Sequence, residues 1–173
     1  MTDRIVLVGF MAAGKTTVGA LVAEILGWRF VDLDHEVEAQ AGKKVADIFR
    51  DSGEAAFRDA ELAAATALVA ARQVVIAAGG GAFAVAETRK ALQDRAFTVW
   101  VRCALPVLLD RLAGDESRPL AAKRETIAAL LQKRETTYAL ADLVVDTTRS
   151  APRVVARTIV DAAMRQEPGP IQR

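Results

Sequence analysis

The sequence predicts an α/β protein whose parallel sheet is covered by helices on both faces. Five apolar runs of strand length alternate with longer segments of helical character. The runs are near-continuously apolar, as expected of strands buried on both sides. The first run leads into a glycine-rich loop and then an apolar-periodic stretch, so strand, loop and helix follow one another in chain order.

The first strand is read at Ile5-Val6-Leu7-Val8, with the helix after its loop spanning Lys15 to Leu26. The second strand is read at Phe30-Val31-Asp32-Leu33-Asp34. The third, Val74 to Ala78, is stopped by Gly79-Gly80-Gly81. The fourth is Phe97 to Val101, and the fifth is Leu143 to Val145, stopped at Asp146. Glu54 to Arg72 is alanine-rich without Pro or Gly and reads as a helix. Pro106 stands near the start of another, ending about Leu112, and Ile127 to Leu140 forms the next. Pro152 opens the last, which runs through Met164. Ala113 to Lys123 is polar with Gly and Pro and reads as a mobile excursion from the domain. Residues 167–173, with two prolines and a glycine, are expected to fray. Residues 1–166 are read as a single domain.

A chain of 173 residues, 52% apolar and 26% charged, suits one soluble domain with one core. With 23 basic and 22 acidic side chains, its net charge of +1 offers no field for nucleic acid or an anionic membrane. Any bound anion must be held by a local site. Cys103 is the only cysteine, which excludes an internal disulfide and fits a reducing cytoplasm. The apolar run Ile5 to Val8 is too short for a leader core or a membrane span, so the expected location is cytoplasmic.

Gly9-Phe10-Met11-Ala12-Ala13-Gly14-Lys15-Thr16 matches the phosphate-binding loop (P-loop) pattern G-x-x-x-x-G-K-[ST] in full. Its glycines let successive N–H groups point at phosphate oxygens, and the following helix adds its positive end. Lys15 should reach the β- and γ-phosphates, and Thr16 should ligate Mg²⁺. The chain contains no asparagine, so the guanine-reading Asn-Lys-x-Asp motif is absent. The third strand ends in glycines and not in the Asp-Glu of a motor ATPase. Small nucleoside and metabolite kinases remain.

On the acceptor side, Asp32 and Asp34 lie two apart at the end of the second strand, placing both carboxylates on one face at the edge where open sheets bind ligands. One can reach Mg²⁺ through water and the other can accept a hydrogen bond from the attacking hydroxyl. Either can instead cap the following helix. Gly79-Gly80-Gly81 admits a ligand close to the backbone, or simply turns the chain. Arg58 and Glu61, three apart on a helix, make either a surface ion pair or an arginine oriented toward a ligand carboxylate. Arg134 and Tyr138 lie one turn apart. His35, the only histidine, is read as a neighbour of the site and not as a base. Phe49 and Phe57 are compatible with plain core.

Taken together, these pieces resemble the shikimate kinase family over nearly the whole chain. They are Gly9-Phe10-Met11, Asp32-Leu33-Asp34, Phe57-Arg58-Asp59-Ala60-Glu61, Gly79-Gly80-Gly81, Ser117-Arg118-Pro119-Leu120, Arg134 with Tyr138, and Val144-Val145-Asp146-Thr147. The resemblance implies a three-layer P-loop kinase fold with a five-stranded parallel sheet in the order 2-3-1-4-5 and a lid. It implies phosphorylation of the 3-hydroxyl of shikimate by ATP with Mg²⁺, on the route to chorismate and aromatic amino acids. ATP would be held by Gly9, Met11, Ala12, Ala13, Gly14, Lys15, Thr16 and Thr17, with Arg111, Pro152 and Arg153 about the adenine. Asp34 would take hydroxyls of shikimate, Arg58 and Arg134 its carboxylate, and Glu61 would orient Arg58. Gly79, Gly80 and Gly81 would form the pocket with Val45, Phe49 and Phe57. Lys15, Asp34 and Arg118 would carry catalysis, Arg118 from the lid. Thr16 would bind Mg²⁺ directly and Asp32 through water. A monomer acting on small molecules is expected. The chain departs from the family at Ala12, where glycine is commoner, and at Thr136-Thr137, where Pro-Leu is often found. A gluconate kinase, an adenylate-kinase-like enzyme, or a binder without turnover are the alternatives.

Overall fold

The computed structural model describes residues 2–113 and 124–165. In chain order the elements are β1 Arg4–Val8, α1 Lys15–Leu26, β2 Arg29–Asp32, α2 Leu33–Ala41, α3 Val45–Ala70, β3 Val74–Ala77, a 3₁₀ turn Ala82–Ala84 and α4 Ala86–Gln93. There follow β4 Phe97–Arg102, α5 Leu105–Ala113, α6 Arg124–Tyr138, β5 Leu143–Asp146 and α7 Pro152–Arg165. The sheet has the order β2-β3-β1-β4-β5, as expected, and every pairing is parallel. The fold is a three-layer α/β P-loop kinase architecture.

The central strands are apolar throughout because they have no wet face. Ile5 to Val8 of β1 and all of β3 are buried. α1 packs on α7 and α3 packs on α4, in the helical layers that flank the sheet. The order matters for function. β1 lies between β3 and β4, so the loop after β1 and the glycines after β3 emerge side by side at the carboxyl edge, where the parallel register ends.

Several boundaries differ from expectation. β2 stops at Asp32, and Leu33 and Asp34 already belong to α2. Asp32 is in fact the helix cap, accepting from the Asp34 N–H at 3.1 Å. The helix expected from Glu54 is the second part of α3. Its first part begins at Val45, and the two meet at Gly53, whose φ of 81° interrupts the helical run. α4 carries only two buried side chains, Thr88 and Leu92, which gave no apolar stripe to read. α6 begins at Arg124 and ends at Tyr138. The expected lid beyond Ala113 and the tail 167–173 lie outside the described residues.

The edge strand β5 is tied to β4 by one acidic side chain. Asp142 Oδ2 accepts from the Thr98 backbone N–H at 2.8 Å and the Thr98 hydroxyl at 2.7 Å, while the Asp142 N–H donates to that hydroxyl at 3.1 Å. Thr98 is fully buried. Asp142→Ala would strand both donors, at a cost of about 1–3 kcal/mol. The expected result is a melting temperature lower by roughly 2–10 °C, given the usual shift per kcal/mol at this size. Thermal unfolding followed by circular dichroism measures it, and an unchanged melting temperature would remove this anchor from the account.

Candidate active site

The P-loop is built on three left-handed residues. Gly9 has φ 144°, Ala12 60° and Gly14 99°. A methyl on Gly9 would stand 2.5 Å from the Val101 carbonyl oxygen, so only glycine fits. Ala12 holds a conformation that costs an L-residue roughly 1–2 kcal/mol. Its surroundings fix it there. Arg111 Nη1 donates to the Ala12 carbonyl at 3.0 Å and Nη2 to the Thr147 carbonyl at 3.1 Å. The Thr147 hydroxyl donates to the Ala13 carbonyl at 2.8 Å. Ala12 to Thr17, Arg111, Thr147, Ser150 and Pro152 line a cavity of about 420 Å³ above the loop. Pro152 therefore borders the space above the loop. Arg153 turns away and pairs with Glu24 at 3.1 Å.

At the inner end of this cavity stands Lys15. Its ammonium donates to the carbonyls of Gly9 at 2.9 Å and Phe10 at 2.8 Å. Removal from water pushes its pKa down to about 8, against the pull of Asp34 and Asp32. The Thr16 hydroxyl donates to Asp32 Oδ2 at 3.2 Å, so Asp32 serves both as helix cap and as partner of the loop. Asp34 projects from the first turn of α2 with its pKa raised, first by burial and then by the nearby Asp32 charge. A carboxyl biased toward its neutral form in a cleft suits a group that handles a proton.

The glycines after β3 lie where three charged side chains converge. A methyl at Gly79 would stand 2.5 Å from Asp34 Oδ1. At Gly80 it would meet Arg134 Nη1 at 3.4 Å and the Met11 nitrogen at 3.6 Å. At Gly81 it would meet Arg58 Nη2 at 2.8 Å and Arg134 Nη2 at 3.3 Å. The arginines are held from behind. Arg58 Nη1 donates to Glu61 Oε2 at 2.8 Å and Nη2 to Glu54 Oε1 at 3.2 Å, and its guanidinium lies 5.2 Å from the Phe57 ring centroid. Glu61 is only 1% exposed, so the pair is not a surface ion pair. Burial raises the Glu61 pKa while Arg58 opposes it. Arg134 lies over the Phe10 ring at 5.8 Å. Phe57 is buried and stacks on Phe49, ring centroids 4.6 Å apart, with Phe49 37% exposed. Val45, half-buried, opens α3 with its N–H on Glu38.

Asp34, Arg58, Glu61, Arg134 and the glycines thus form one cluster, against the P-loop that carries Lys15 and Thr16. Arg118 lies outside the described residues. Sequence reasoning passed over Thr147, Ser150, Phe10 and Glu54 as site-forming residues. Glu54 stands one turn before Arg58, a spacing that carried a signal, whereas Thr147, one residue past β5, reaches the loop only through the tertiary fold.

The family model for shikimate kinase matches residues 11–164. A shikimate kinase from Moorella thermoacetica is 45% identical over 164 residues, covering 94% of this chain and 95% of its own. One from Persephonella marina is 40% identical over 158 residues, covering 91% and 96%. Among solved structures, shikimate kinase from Acinetobacter baumannii in complex with shikimate superposes with a TM-score of 0.87 at 34% identity, covering 95% of this chain and 94% of that one.

The depressed Lys15 pKa has a direct consequence. Bound phosphate favours the charged ammonium and so raises its pKa above the free-protein value of about 8. Below pH 8 the lysine is charged before and after binding, and affinity is flat. Above pH 8 binding must take up a proton, so nucleotide affinity falls by up to about tenfold per pH unit. Calorimetric titration of ADP from pH 7 to 9.5 tests this, with Lys15→Met as a control that binds weakly without that slope. A flat wild-type profile would contradict it.

Proposed function

The chain belongs to the shikimate kinase family, and we propose that its cleft seats ATP on the P-loop side and shikimate on the glycine side. The protein is an enzyme, a kinase that transfers the γ-phosphoryl group of ATP to shikimate and gives shikimate 3-phosphate for aromatic amino acid biosynthesis. The observation that carries the residue assignment is the convergence of Asp34, Arg58 and Arg134 on the three glycines. Two guanidinium groups match one carboxylate, and a single half-buried carboxyl group matches a ring hydroxyl.

In this reading the N–H groups from Gly9 and Met11 through Thr17 wrap the phosphates, and Arg111 and Pro152 flank the adenine. Arg153 joins them only if it leaves Glu24. Arg58, set by Glu61, and Arg134 grip the shikimate carboxylate. Val45, Phe49 and Phe57 border its ring. Asp34 orients the 3-hydroxyl toward the γ-phosphate and accepts its proton late in the transfer, when the oxygen has become acidic. Lys15 moves from its loop carbonyls to the phosphates and draws off charge. Arg118 adds a second cation from the segment outside the described residues. Thr16 and Asp32 offer hard oxygen atoms 3.2 Å apart beside the loop, a donor set that fits Mg²⁺. The ion would be held directly by Thr16 and through water by Asp32. Once bound, it neutralises phosphate charge. We propose a monomer with one kinase domain over residues 1–166. Among the described residues no helix is long and apolar enough to cross a membrane, and we place the enzyme in the cytoplasm.

The test is a panel of acceptors with ADP release as readout. Shikimate should exceed gluconate, AMP and water by about 10²-fold or more, since a site that pairs buried charges with substrate groups rejects ligands lacking them. Equal rates with gluconate, or none with shikimate, would overturn the assignment.

A further inference from the structure

Tyr138 ends α6 and is fully buried, its ring against Trp100 of β4 with centroids 6.0 Å apart. A phenylalanine would fill that space equally well. The hydroxyl is what needs explaining, because a buried phenol is costly unless its polar end is partnered. It donates to the carbonyl oxygen of Gly80, a residue of the acceptor pocket. Arg134, one helical turn earlier, reaches the same glycines with its guanidinium, and its charge opposes the rise that burial imposes on the phenol pKa.

A phenol has one proton, and that proton is committed to Gly80. What the phenol oxygen still offers is acceptor capacity, which suits the donors of the nearby Arg134 guanidinium. Burial raises the phenol pKa to about 12, so it stays neutral at working pH. The Gly80–Gly81 peptide is trans, so its C=O and N–H point opposite ways. With the carbonyl turned to Tyr138, the N–H of Gly81 is aimed away from it. Gly81 is also the residue whose added methyl would strike Arg58 and Arg134.

We propose that Tyr138 is a positioning residue for the acceptor carboxylate, its hydroxyl anchoring both the Arg134 guanidinium and the Gly80–Gly81 peptide. This rests on the assignment of Arg134 to the carboxylate made above. Tyr138 touches no substrate. It removes the freedom of two groups that do, and so lowers the ordering cost of binding.

The chain has one tyrosine, so uniform labelling with 3-fluorotyrosine gives a fluorine resonance from Tyr138 alone. Saturating shikimate should shift that resonance. An unmoved resonance with shikimate bound would overturn the proposal without any substitution. The second arm is Tyr138→Phe, which keeps the ring and deletes the hydroxyl. Its shikimate dissociation constant should rise about tenfold, the scale of one hydrogen bond to a charged group, with ADP affinity within about twofold. In an Arg134→Lys background the same change should add little, because the two residues act as a unit. Wild-type shikimate affinity in Tyr138→Phe, or full additivity in the double variant, would refute the proposal. A loss in Arg134→Lys without one in Tyr138→Phe would refute only Tyr138. No loss in Arg134→Lys would instead refute the carboxylate assignment, and the proposal with it.

Discussion

The absence of side chains at Gly79, Gly80 and Gly81 is the constraint on which the site depends. A single methyl at the first would occupy the place of the Asp34 carboxylate, and at the last that of the Arg58 guanidinium. Because β3 pairs directly with β1, the same glycines stand against the P-loop, with the Gly9 carbonyl 3.7 Å from a methyl built on Gly80. Strand order thus brings an anion-binding loop and a charged acceptor pocket together, and small residues let them touch.

Charges gathered this closely would repel or lose hydration unless each had a partner. Glu61 and Glu54 hold Arg58, Asp32 holds Thr16 and caps α2, and Lys15 rests on the carbonyls of its own loop. The cleft is preorganised in this sense: ligand charges enter an array of dipoles and ions already oriented. The conflicts that remain appear in the shifted groups. Burial lowers the pKa of Lys15 and raises those of Asp34 and Glu61. The first two are the groups we propose for the transfer chemistry, and Glu61 holds Arg58 by a hydrogen bond. Ala12 is a further local conflict, a left-handed alanine braced by Arg111 and Thr147 through the loop carbonyls.

Much of this was legible in the sequence, for physical reasons. Continuous apolar runs of four or five residues bounded by glycine or turn residues read as buried strands, and the full P-loop pattern fixes strand, turn and helix at once. The sheet order and the roles of Arg58 and Arg134 came from resemblance, since one sequence does not say which strands are neighbours. Asp34 was expected on a strand end and lies on a helix, because Asp32 acts as the cap that starts α2 two residues early. The first part of α3 was missed because Gly53 interrupts the helical run. α4 was missed because its inward face is only Thr88 and Leu92. Thr147 escaped because its contact spans 134 residues, a tertiary fact with no local pattern.

The central claim, that an empty Cβ position makes the acceptor pocket, is tested most directly at Gly81. Its φ is −102°, which alanine adopts freely. The three atoms nearest the methyl of Gly81→Ala are guanidinium nitrogens of Arg58 and Arg134. These are far ends of long side chains that can yield without moving backbone, so the fold should survive. Shikimate and ADP titrated separately into the variant by calorimetry give the answer. The account predicts a shikimate dissociation constant raised about tenfold or more, as at least one charged hydrogen bond is lost, with ADP affinity and melting temperature close to wild type. Shikimate bound at wild-type strength would contradict it.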